Sequence, residues 1–172
     1  VVSSNNLEGF NTDKFLNAIH KAESNNSTKL DLPNATGEST ALGPFQIINS
    51  TRSQIYNTYY KDVMTKEEFD KNYVSDFQFA KKVASKYLDI NAPLVSQLQQ
   101  KYNIPPEYSQ SILYFLGVGD GPKYIEDYIS TGSHKFAQQK LDERIIKRKG
   151  YLPKNQTVEN YVRVKINSYY SQ

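Results

Sequence analysis

Glu23 stands near the end of a predicted amphipathic helix, on the face that Leu16 and Ile19 mark by their i, i+3, i+7 spacing, with Phe15 and Ala22 flanking the stripe. A carboxyl held among apolar side chains is disfavoured in its ionised form. Its pKa therefore rises, which suits a general acid working near neutral pH. Ser24 follows directly, and a second group of chemically useful residues comes after a polar loop: Ala41-Leu42-Gly43-Pro44-Phe45-Gln46-Ile47. Gly43-Pro44 turns the chain tightly with no side chain in the way, so backbone can approach a bulky ligand, and Gln46 offers both a donor and an acceptor.

Glu23-Ser24, then Asn34-Ala35 in the loop, then Ala41-x-Gly43-x-x-Gln46-Ile47-x-x-Ser50-Thr51 resembles the catalytic signature of the soluble lytic transglycosylases and goose-type lysozymes, enzymes that cut the β-1,4 glycan strand of peptidoglycan. Further on, Tyr114-Phe115-Leu116-Gly117, followed by Val118-Gly119-Asp120-Gly121-Pro122, resembles a divergent form of the family's Tyr-Asn-Ala-Gly block and is similar to a variant in phage-associated members. Phe115 stands where the family has Asn and Leu116 where it has Ala, so the resemblance carries over only to Tyr114 and Gly117. Near the C-terminus, Thr157-Val158-Glu159-Asn160-Tyr161-Val162 resembles the last family block, whose tyrosine hydrogen-bonds the catalytic glutamate. Val158, Tyr161, Val162, Ile166 and Tyr169 form a helical stripe, which turns Tyr161 inward, where its hydroxyl needs a polar partner.

The resemblance spans residues 15 to 165 in four separated blocks. It implies a mainly α, lysozyme-like fold with an irregular loop or small hairpin beside the cleft. It also implies Glu23 as the sole catalytic carboxylate, Ser24, Gln46, Tyr114 and Gly117 as substrate-binding residues, and Tyr161 as the group that orients the Glu23 carboxyl. The implied reaction is that of a lytic transglycosylase. Glu23 protonates the glycosidic oxygen and then acts as base while the muramyl 6-hydroxyl attacks the anomeric carbon, leaving 1,6-anhydromuramyl ends; this differs from the two-carboxylate scheme of most glycosidases. Two alternatives stand beside it. A goose-type lysozyme would use water held by Asp31 or Glu38, and a wall-binding or structural virion module would keep the fold without the chemistry.

Composition narrows the classes. The 172 residues suffice for one sizeable core with nothing marking a linker, so a single domain over 1–172 is expected. The first residue is not Met, so the chain is expected to be an excised or processed part of a longer protein. With no cysteine and only His20 and His134 as imidazoles, neither a thiol peptidase nor a metal site is expected, and no cofactor is implied. The formal charge of +3 suits an anionic wall surface. The basic run from Lys140 to Lys149 is interrupted by Leu141, Ile145 and Ile146 at helical spacing. It reads as one solvated helix face rather than a nucleic-acid surface. No stretch is long and apolar enough to span a membrane.

The partner expected is thus the peptidoglycan glycan strand, met outside the cytoplasm. The variant at Tyr114 to Gly117 favours a phage virion, where other virion or tail proteins would be neighbours, over a periplasmic or secreted bacterial enzyme. The elements that must position these residues are predicted as helices at 12–24, 50–60, 66–73, 75–89, 93–102, 106–116, 121–130, 134–149 and 157–170. Thr65 to Glu68 supplies a capping box and Pro105-Pro106 a helix start. Residues 25–39, rich in Asn, Ser, Thr and Gly, read as an irregular loop or short hairpin, and the cleft is expected between the 25–50 region and a glycine turn at 117–121.

Overall fold

The computed structural model describes residues 3–33 and 40–131, with the backbone alone described at 22–23, 115–116 and 127–131. The chain is mainly α: α1 (Thr12–Ser24), α2 (Asn49–Ile55), α3 (Lys66–Tyr73), α4 (Phe77–Tyr102) and α5 (Pro106–Thr131), with a short 3-10 turn at Ser4–Asn6. The predicted helices at 134–149 and 157–170 lie outside the described residues.

Local chemistry sets most boundaries. Asn11, Thr65 and Asp76 accept the backbone N–H groups of Lys14, Glu68 and Phe79, filling donors that the first turns of α1, α3 and α4 leave open. The sequence places α1 and α3 where they are found, α3 because the Thr65 cap is real. α1 stops where Asn25 and Asn26 turn left-handed, φ 52° and 61°, a conformation asparagine tolerates better than most residues. α2 does not end at Ile55; it widens into a π turn over Tyr56–Tyr60, closed by the Lys61 N–H on the Tyr56 carbonyl at 2.9 Å.

Two expectations are corrected. Helices at 75–89 and 93–102 are one helix, α4, which runs through Pro93. Proline removes a ladder hydrogen bond and crowds the preceding turn. Here burial outweighs that: Leu88, Ala92 and Val95 are fully buried, and Gln110 of α5 donates from Nε2 to the Leu88 carbonyl at 3.0 Å, bracing the turn before the proline. Likewise the predicted turn at 117–121 shrinks to one residue. Gly117, at φ 84° and ψ 173°, breaks α5 in a region essentially only glycine enters, and helical backbone resumes at once. The second half folds back closely: a Cβ on Gly121 would lie 2.7 Å from Leu113 Cδ2.

α4 is the spine, with α1, α2, α3, α5 and the N-terminal turn packed on it. At one end Phe69 sits among the rings of Tyr56, Tyr60 and Phe79, centroids 5.3 to 5.6 Å away. No helix among the described residues is long and apolar enough to cross a membrane.

Candidate functional site

The end of α1, the 40–47 segment and the first half of α5 meet at one corner. On α1, Ser24 Oγ donates to the His20 carbonyl at 3.0 Å, so its hydroxyl is tied to the last turn. His20 itself lies between Phe45 and Phe77, ring centroids 5.5 and 5.1 Å away. Its Nε2 is 2.7 Å from the Ser27 carbonyl, which can only accept, so that nitrogen carries the proton. Glu23 occupies the helical position one turn beyond Ile19 and His20. Its side chain lies outside the described residues, as do Asn34, Ala35, Glu38 and Tyr161.

The 40–47 segment has two antiparallel bridges, Pro33 with Leu42 and Leu42 with Ile47, in place of a regular hairpin. Its carbonyls are gathered by side chains from three helices. Arg52 Nη1 on α2 donates to Thr40 at 2.9 Å and also to Ile47. The Tyr73 hydroxyl on α3 donates to Leu42 at 2.6 Å, and the Tyr114 hydroxyl on α5 donates to Phe45 at 2.5 Å. Tyr114 also packs on Tyr87 of α4, centroids 5.0 Å apart. Within the turn, Gly43 takes φ 78° and its N–H reaches the Leu32 carbonyl at 2.8 Å.

Gln46 is left-handed at φ 49°. Among the described residues the other non-glycine ones with positive φ are asparagines, so Gln46 is the outlier there, in a conformation that costs roughly 1–2 kcal/mol for an ordinary side chain. It persists because Nε2 donates to both the Leu32 and Gly43 carbonyls, at 3.0 and 2.8 Å. With both amide hydrogens committed, Oε1 is the end of Gln46 that can accept from a ligand. Tyr114 thus reaches the residue beside Gln46, α1 meets that same residue through His20, one turn before Ser24, and Gly117 lies one turn past Tyr114.

Electrostatically the corner rests on a buried cation. Arg52 is only 8 % exposed, and burial pulls its pKa down, opposed by Tyr73 and Asp70. Tyr73 is pushed up to about 12 by burial, against the pull of Arg52 and a backbone hydrogen bond from Ile47, so it stays a neutral donor. Among the described residues no three His, Cys, Asp or Glu side chains gather as a metal site would need.

Arg52, Tyr73, His20 and Phe77 were not legible as site residues. One signal was available for Arg52: it lies three residues before Ile55 and so shares its inner face of α2. Removing one of the carbonyl bonds tests the corner directly. Tyr114→Phe should keep the ring on Tyr87 and lower stability by about 1 kcal/mol, read as a denaturation midpoint shift; an unshifted midpoint would mean the hydroxyl contributes nothing to holding Phe45.

No protein-family model, curated protein or solved structure matches the chain.

Proposed function

We propose that this chain is a peptidoglycan lytic transglycosylase of lysozyme-like fold, with Glu23 as its catalytic acid. The observation that supports the reading most is the bond from Tyr114 Oη to the Phe45 carbonyl, which spans 69 positions of sequence. It joins two motif blocks that each resemble the family on their own residues. The third block is adjacent, because Phe45 also meets the His20 ring one turn before Glu23-Ser24.

In this reading the protonated Glu23 carboxyl gives its proton to the glycosidic oxygen as the bond to N-acetylmuramic acid breaks, releasing the N-acetylglucosamine hydroxyl. The carboxylate then takes the proton of the muramyl 6-hydroxyl as that oxygen bonds to the anomeric carbon, closing the 1,6-anhydro ring. Gln46 Oε1 and the backbone at Gly117, where a Cβ would meet nothing within 4 Å, hold the sugar, while Tyr161 orients the acid. The enzyme acts outside the cytoplasm, and the setting we favour is a phage virion that opens the wall locally.

Product analysis is the test. Peptidoglycan digested in oxygen-18 water should give unlabelled anhydromuramyl ends by mass spectrometry, and Asp31→Asn and Glu38→Gln should each retain activity, as expected of loop charges. Asp31 is the helper to watch, since it is exposed and precedes Leu32, whose carbonyl is bound by Gly43 and Gln46. Labelled reducing ends, or loss of turnover in either variant, would mean a hydrolase with a second carboxylate. Sacculi left intact by the wild-type chain would mean a module that binds or builds without cutting.

A further inference from the structure

The Arg52 guanidinium is an uneconomical way to stabilise a fold. It is buried against the Tyr73 ring, 5.4 Å from the centroid, and what it bonds to are neutral carbonyls, those of Thr40 and Ile47. A cation desolvated in this way gains less than an apolar side chain of similar size would. What it supplies is geometry: one terminal nitrogen, Nη1, holds both oxygens through two N–H groups fixed in the guanidinium plane, where an ammonium on a flexible stem rotates freely. Those two oxygens are the two ends of the segment carrying Gly43 and Gln46. Tyr73 closes the same bracket from α3: its hydroxyl takes the Leu42 carbonyl, and both its ring edge and its oxygen lie 3.4 Å from the place a Gly43 Cβ would occupy.

We infer that Arg52 and Tyr73 are positioning residues that fix the 40–47 segment and so hold Gln46 in its left-handed, substrate-facing conformation. The functional half of this inference rests on the glycan-cleaving reading above; the mechanical half does not. Neither residue touches the sugar in this scheme.

The experiment uses the whole chain and two readouts. Arg52→Lys keeps the charge and loses the rigid planar donor group at Nη1, and Tyr73→Phe keeps the ring beneath the cation and loses the bond to Leu42. Amide hydrogen exchange should speed up about 10-fold or more at Gly43 and Gln46 in both variants, with α4 amides unchanged. On peptidoglycan, kcat should fall about 10-fold for Arg52→Lys with a smaller change in KM, the mark of lost alignment rather than lost binding. Unchanged exchange at Gly43 and Gln46 in Tyr73→Phe, or a fall in kcat that only tracks global unfolding, would overturn the inference even if Arg52→Lys cannot fold. If the wild-type chain cuts no glycan, the exchange result still decides the mechanical role, and the failure belongs to the proposed function.

Discussion

Glu23→Gln is expected to lower glycan turnover by about 10²-fold or more while leaving helix content and melting temperature close to those of the unaltered chain. Glutamine matches glutamate in shape and can still accept a hydrogen bond from sugar, but it neither gives up a proton to a leaving oxygen nor takes one back. The imidazole one turn earlier is no substitute, since its Nε2–H is held by the Ser27 carbonyl. Initial rates on purified sacculi, with substrate binding followed by pelleting, separate the two effects. Binding should survive and turnover should not. A variant that keeps a substantial share of the rate would remove Glu23 from the chemistry.

Gly43→Ala is expected to be the most damaging small substitution in the corner, at about 1–3 kcal/mol of stability and a marked loss of turnover. Two costs add there. An alanine at φ 78° is strained wherever it sits, and this one would also press its Cβ to 3.1 Å from the Leu30 carbonyl, a backbone atom that cannot swing away. Gly9 provides the control, for it has nearly the same φ, 75°, with open space around it. Gly9→Ala should therefore show the conformational cost alone, and the difference between the two denaturation midpoints measures the crowding. Equal midpoints would mean that the turn has room to shift and is not tightly clamped.

Where the sequence carries a local cause, it located the element. The stripe of Phe15, Leu16 and Ile19 with Asn11 before it and Asn25 after it defines α1 at both ends, and Thr65 marks α3 to the residue. Where the cause is tertiary, the sequence misled. Pro93 reads as a helix break because the buried side of α4 and the amide of Gln110 are not visible one segment at a time. The five positions from Gly117 to Gly121 read as a turn, although only Gly117 departs from helical geometry. The corner follows the same division. Of the residues singled out as chemical, Tyr114 meets the carbonyl of Phe45, next to Gln46, but the groups that hold that segment were harder to see: Arg52 is marked only by its spacing to Ile55, and Tyr73 looks like one more core aromatic. What decides their roles is which carbonyl they reach, and that depends on three helices folding together.

The brace at Pro93 also bears on how the molecule assembles. α4 has 26 residues, about 39 Å of helix, and the turn at its weakest point draws support from a side chain that arrives later, on α5. Asn91 of the same stretch faces that side chain too, its Nδ2 3.4 Å from Gln110 Oε1. The second half of α4 and the opening of α5 therefore share buried hydrogen bonds in the folded chain, and they are expected to gain protection as one cooperative unit, with a chain truncated before Gln110 exchanging its amides faster beyond the proline than ahead of it.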